Sequence, residues 1–158
     1  MAAFLEIHAS NKLQRAVKDD LTEVHLDGCL ALGVIEKYFT SPFIRFPETD
    51  TPMAEAHTVY QTVVQQLSAL SEDPSCLTNG SAVLFAGVKV HSSVVLDKFL
   101  QPEGDGRDHR VHDLLKKLMA AFHVYCTKAF TGHLVDGELT KVSSSETRTV
   151  AITNVRSE

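Results

Sequence analysis

Tryptophan is absent from this sequence, which removes the commonest stacking platform for sugars and bases and leaves eight Phe and three Tyr for such contacts. Cysteine is scarce. Cys29, Cys76 and Cys126 are odd in number, far apart and without a CxxC pair, so neither a disulfide framework nor a zinc ribbon is indicated. Reduced thiols and a cytoplasmic location are expected. Excess positive charge is also missing: the net charge is −5 and the fifteen Lys and Arg are dispersed, without the basic patch that nucleic acid requires. No apolar run reaches membrane-spanning length, and Met1 to His8 has neither a basic n-region nor a long apolar stretch. A protein that is neither secreted nor membrane-spanning is expected.

Several chemistries lack their motifs. There is no HExxH, no ExxH on paired helices, no GxSxG elbow, and Gly80, Gly87, Gly104 and Gly106 form neither GxGxxG nor a P-loop. A non-enzymatic protein without a cofactor or metal follows as the expectation. The eight histidines do not change it. His112 and His123 fall on one flank of a helix, but Lys116 lies between them and its charge would repel a metal ion. His109 sits on the same segment without a Cys partner, and His25, His57 and His91 are isolated, which suits hydrogen-bonded structural residues. Asp19-Asp20 and Asp105 with Asp108 are paired carboxylates at helix starts or on polar faces, where solvation and the helix dipole suffice to explain them.

What is present is the balance of one packed domain: 158 residues, 44% hydrophobic and 22% charged. Ser10-Asn11 precedes Leu13, Val17, Leu21 and Val24 at helical spacing, which predicts a capped amphipathic helix. Asp27-Gly28 offers a break. Leu30, Val34, Ile35 and Tyr38-Phe39 then continue an apolar stripe up to a Pro-containing loop from Ser41 to Pro52. From Met53 to about Leu70 the positions Ala56, Tyr60, Val63, Leu67 and Leu70 share one face, with Gln61, Gln65 and Gln66 largely off it. Glu72-Asp73-Pro74-Ser75 ends that helix, and Thr78 to Ser81 can cap the next.

Ala82 to Leu100 is apolar almost all round, which predicts a buried central helix, although Val83 to Val90 also suits a core strand. After a turn-forming stretch from Pro102 to Asp108, the positions Val111, Leu115, Leu118, Phe122, Tyr125 and Ala129 mark an amphipathic helix that Gly132 can cap. Cys126 falls on its buried side as a core thiol. From Leu134 onward Asp136-Gly137, Ser143-Ser-Ser and Thr147 to Thr153 leave a terminal hairpin or a loose tail open. The expected fold is thus mainly α: a single-domain helical bundle around an apolar central helix, with residues 1–142 as the helical domain and 143–158 as tail or hairpin.

The run Ser81-Ala-Val-Leu-Phe-Ala-Gly-Val-Lys-Val-His-Ser-Ser-Val-Val-Leu-Asp-Lys-Phe-Leu-Gln, the Gly-Asp loop, and Leu118-Met-Ala-Ala-Phe-His-Val-Tyr together resemble the glycolipid transfer protein family. That family places a central apolar helix ending in Phe-Leu before an acidic loop and a helix with a tyrosine-histidine pair. Here the pair is Phe122-His123, followed by Tyr125. The resemblance implies that His123 binds a lipid headgroup, with Tyr125 as its aromatic partner and Asp50 as an upstream headgroup ligand. The family's Asn and Lys positions are held by Ala54 and His57, and its stacking tryptophan would fall near Ala86-Gly87. Asn79-Gly80-Ser81 before an apolar stretch also resembles the start of the central helix in the Bcl-2-like fold, though without that family's Trp and Arg.

Two functions follow as expectations. One is a carrier with a hydrophobic pocket for sphingolipid or glycolipid, its acyl chains buried at about 0.8 kcal/mol per CH₂. It requires an elongated cavity reaching His123. The other is a helical protein–protein interaction module, a groove or adaptor subunit that takes an amphipathic partner helix through apolar anchors. It gives His123 no part.

Overall fold

The computed structural model describes residues 21–48, 53–90, 93–101 and 106–141, together with Ala16. The fold is mainly α, with six α-helices and no β-strand among the described residues. They are α1 (Glu23–Ile35), α2 (Ser41–Arg45), α3 (Met53–Glu72), α4 (Ser75–Thr78), α5 (Val94–Phe99) and α6 (Arg107–Ala129).

The two long helices form where the periodicity is cleanest. On α3 the positions Ala56, Tyr60, Val63, Leu67 and Leu70 are all buried, as their spacing requires. They pack along α6, the most extensive helix pairing among the described residues. On α6 the innermost stripe is Val111, Leu115, Met119 and Cys126, with Leu114, Leu118 and Phe122 partly buried beside it. Tyr125, expected on this inner face, is 68% exposed instead, and Ala129 is exposed as well. Met119 takes the inner place because it falls four residues after Leu115, one turn on.

The expected first helix from Ser10 lies mostly outside the described residues, but its end differs from expectation. α1 starts after Thr22, whose N–H donates to His25 Nδ1 at 3.4 Å and whose hydroxyl lies 2.8 Å from the same nitrogen. His25 is therefore a capping residue. α1 then runs straight through Asp27-Gly28, because Asp27 is not a turn residue here: it is buried, with Oδ2 accepting from Arg110 Nε of α6 at 2.6 Å.

Nor is Ser41 to Pro52 simply a loop. A π-helical turn (Glu36–Thr40), α2 and a 3-10 turn (Phe46–Glu48) carry the chain on helically to residue 48. Pro42 sits at the start of α2, directly after the π-helical turn, with its fixed φ suited to helical backbone. The wide turn before it has Ser41 N–H donating to the Glu36 carbonyl, five residues back.

The apolar central helix over Ala82 to Leu100 is not formed. Residues 81–90 are irregular, and among the described residues of this stretch only Val94–Phe99 is helical, with the Ser93 side chain accepting from Leu96 N–H at 3.2 Å. Gly87 adopts φ +82°, a left-handed value that stops a helix. The segment threads between helices and buries Ala82, Leu84 and Phe85 while Val83 stays 61% exposed. Ala82, Leu84 and Phe85 plug the core while Val83, Ala86 and Val94 face outward, so α3 and α6 hold the centre.

Gly132 does not cap α6 either. Phe130 ends it, its N–H donating to the Cys126 carbonyl at 2.8 Å, because the Phe130 ring is drawn inward to pack 4.4 Å from Tyr60, centroid to centroid. Two 3-10 turns follow, Thr131–His133 and Glu138–Lys141, folded back onto α3. Gln61 Nε2 docks the first by donating to the His133 carbonyl at 3.1 Å. The tail from residue 143, with its possible hairpin, lies outside the described residues.

Candidate functional site

Of the three residues expected at a headgroup site, Asp50 lies outside the described residues. His123 is half-buried on α6, and its carbonyl accepts from Thr127 Oγ1 at 2.7 Å. Tyr125, two residues on, is about 200° further round a 3.6-residue helix, so the two side chains leave α6 on different sides. Tyr125 belongs instead to an outward strip with Ala121 and Val124. The two residues do not converge on one site.

Beside them, the interior is occupied by rings. Phe122 packs 4.7 Å from Phe39, which lies 5.9 Å from Phe85 and 6.0 Å from Phe43, with Phe46, Tyr60 and Phe130 extending the cluster. Aromatic pairs at these separations favour one another beyond the area they bury. His133 completes it, 4.7 Å from Tyr60, and burial together with the nearby His57 pushes the His133 imidazole below its usual range.

Two open clefts lie elsewhere, and His123 lines neither. The first, of about 380 Å³, is lined by the apolar Ala69, Leu70, Ala82, Val83 and Leu84 and by Gln66, Asp73, Cys76 and Ser81. The second, of about 350 Å³, is lined by Leu30, Leu100 and Val111, with Thr78, Asn79, Asp108 and His112 as polar neighbours. The segment from Asp73 to Asn79 is their shared ridge, with Asp73 and Cys76 lining the first cleft and Thr78 and Asn79 the second. Asp73 Oδ1 accepts from Ser75 N–H at 3.0 Å and from the Ser75 hydroxyl at 2.5 Å, and sits 3.5 Å from His112 Nε2. The Ser75 donors, more than His112, hold the Asp73 carboxyl below its usual range. A carboxylate on one cleft is thereby tied to an imidazole on the other.

Sequence reasoning read Asp73 only as part of a helix terminator, His112 as a helix-flank residue unsuited to a metal beside Lys116, and Gln66 as an off-face residue. The Asp-Pro-Ser spacing does signal the turn. No local pattern signals that Asp73 meets His112, because that contact depends on how α3 and α6 lie together. Among the described residues no three His, Cys, Asp or Glu side chains converge as metal ligands, and no helix is long and apolar enough to cross a membrane. Cys126 is buried, and burial pushes its thiol up to about 11, which suits packing better than nucleophilic attack.

No family model, no curated protein and no solved structure matches this chain.

Proposed function

We propose that this chain is a non-enzymatic helical interaction module that holds an amphipathic partner helix across the ridge between its two clefts. The observation that carries the reading is the pair of apolar-floored clefts on either side of Asp73–Asn79, open to solvent and separated by a polar ridge. A helix laid over that ridge presents side chains one turn apart to both sides, the arrangement by which grooves read anchors at helical spacing. The ring cluster around Phe39 and Phe85 supports the same choice. It takes up the interior beside Phe122, so apolar ligand surface has to be accommodated outside it.

The test is a ¹⁵N HSQC titration of the full chain with a synthetic amphipathic peptide carrying Leu anchors and an uncharged Gln face. Saturable shifts at the amides of Leu30, Asn79, Ala82 and Val111, lost on Asp substitution of the half-buried liner Leu100 (Leu100→Asp), are expected. The lipid-carrier reading replaces this one if the peptide shifts none of these amides while native mass spectrometry finds a co-purifying two-chain lipid that His123→Ala removes.

A further inference from the structure

We infer that Asn79 is a self-modification site, at which the Gly80 backbone nitrogen attacks the Asn79 side-chain amide and leaves a carboxylate on the ridge between the clefts. Gly80 carries no side chain to hinder that attack. Asn79, Gly80 and Ser81 are all exposed, so water reaches the reacting atoms.

The turn that ends α4 holds the electrophile. Asn79 Oδ1 accepts from Ser81 N–H at 2.9 Å and from the Ser81 hydroxyl at 2.6 Å, an Asx turn that folds the side chain back over the Gly80 peptide. Both donors sit on the oxygen that gathers negative charge as Cγ becomes tetrahedral, the arrangement that stabilises oxyanions in acyl transfer. The nucleophile is uncommitted. Asn79 N–H is held by the Ser75 carbonyl, and Ser81 and Ala82 N–H by the Cys76 carbonyl, but Gly80 N–H donates to no group among the described residues. Torsions of Asn79 alone, whose ψ is −2°, bring that nitrogen onto Cγ.

The chemistry closes with water as the co-reactant. The Gly80 nitrogen loses its proton to water and bonds to Cγ, while the Cγ–Nδ2 bond breaks and Nδ2 leaves as ammonia with a proton returned by water. Water then opens the five-membered imide. Attack at Cγ gives aspartate; attack at the residue 79 backbone carbonyl gives isoaspartate, with the main chain rerouted through Cβ. Either product places a negative charge in the second cleft, which Asn79 lines together with Asp108. Isoaspartate also adds a methylene to the chain just before the Ser81 and Ala82 N–H groups, which donate to the Cys76 carbonyl at 3.1 and 3.0 Å. Those bonds anchor the segment that lines the first cleft from Ser81 to Leu84, so one reaction alters both clefts.

The test is to age the full chain at neutral pH and physiological temperature beside the blocked free peptide Leu-Thr-Asn-Gly-Ser-Ala. Peptide mapping follows the mass shift from amide to acid, and electron-transfer fragmentation separates aspartate from isoaspartate. The folded chain should convert Asn79 at least as fast as the peptide, while Asn11 and Asn154, followed by Lys and Val, stay intact. Removing one oxyanion donor costs roughly 10²–10³ in an enclosed site; on this open turn Ser81→Ala should slow the folded chain about tenfold and leave the matching peptide unchanged. Conversion in the folded chain more than about tenfold slower than in the peptide would show that the turn protects Asn79, and overturns the inference. A Ser81→Ala chain with the wild-type melt and the wild-type rate overturns it as well.

Discussion

Asp27 of α1 is 2% exposed and its Oδ2 accepts from Arg110 Nε of α6 at 2.6 Å, which joins two helices through residues 83 positions apart. Arg110 also reaches Glu23 on the same helix, Nη2 to Oε2 at 3.3 Å. Removing the arginine strands a buried carboxylate, which typically costs 3–5 kcal/mol; with the Arg110 side chain 39% exposed, a loss of about 3 kcal/mol is expected. Urea unfolding of Arg110→Gln measures it. A double variant, Asp27→Leu with Arg110→Leu, should recover part of the loss, since replacing both partners by apolar groups leaves no orphan charge. A double variant less stable than Arg110→Gln would show that the pair does not act in this way.

Phe85 and Val83 are neighbours with opposite fates. Phe85→Ala should cost about 3–5 kcal/mol by opening a cavity among Phe39, Phe43 and Phe46, whereas Val83→Ala should stay within about 0.5 kcal/mol. Equal costs in chemical denaturation would point back to a continuous buried helix over 82–100.

The acid side of the stability profile should carry the mark of His133. Its imidazole is held below the free value of 6.5 by burial first and by His57 second, so the folded state resists a proton that the unfolded chain accepts. Stability is therefore full above 6.5 and declines as pH falls from there through the lowered folded value. Thermal melts across that window should show the decline, and His133→Phe, which keeps a ring beside Tyr60, should flatten it. An unchanged pH profile in that variant would remove His133 as the cause.

Thiol reactivity should rank the cysteines by burial. Cys29 is exposed, Cys76 is half-buried with its thiol pushed up, and Cys126 is buried with its thiol at about 11. Iodoacetamide followed by peptide mass spectrometry should modify Cys29 first and Cys126 only on unfolding. Early labelling of Cys126 in the folded chain would contradict its place in the core.

Glycine substitutions should separate two backbone environments. A Cβ at position 137 would overlap the carbonyls of Gly132 and Thr131, so Gly137→Ala should loosen the turns after α6. Gly28 sits in α1 with open space around it, and Gly28→Ala should stabilise by about 0.5–1 kcal/mol. Denaturation midpoints moving in opposite directions would meet the expectation.

What the sequence disclosed was periodic. α3 and the inner stripe of α6 through Val111 and Leu115 follow from apolar spacing alone. The segment from Ala82 could not be resolved that way, since a plug threaded between helices is as apolar as a buried helix and only the left-handed Gly87 tells them apart. Tyr125 was placed inside because its spacing from Phe122 is helical, yet Met119 and Cys126 compete for the same face and win it. The candidate site was least legible of all. Asp73, Gln66 and His112 acquire meaning only once α3, α6 and the 81–84 segment lie together.

The π-helical turn at Glu36–Thr40 holds one residue more than an α-helical turn needs. Such a turn works as an insertion absorbed without breaking the rod: everything after it is rotated by one residue's worth of arc, roughly 100°. That rotation sets the direction in which Phe43 and Phe46 reach Phe85. The phase between the first helix and the aromatic core is therefore written in chain length as well as in residue type. A single-residue deletion here, with every side chain conserved in character, would turn those rings out of register with their partners.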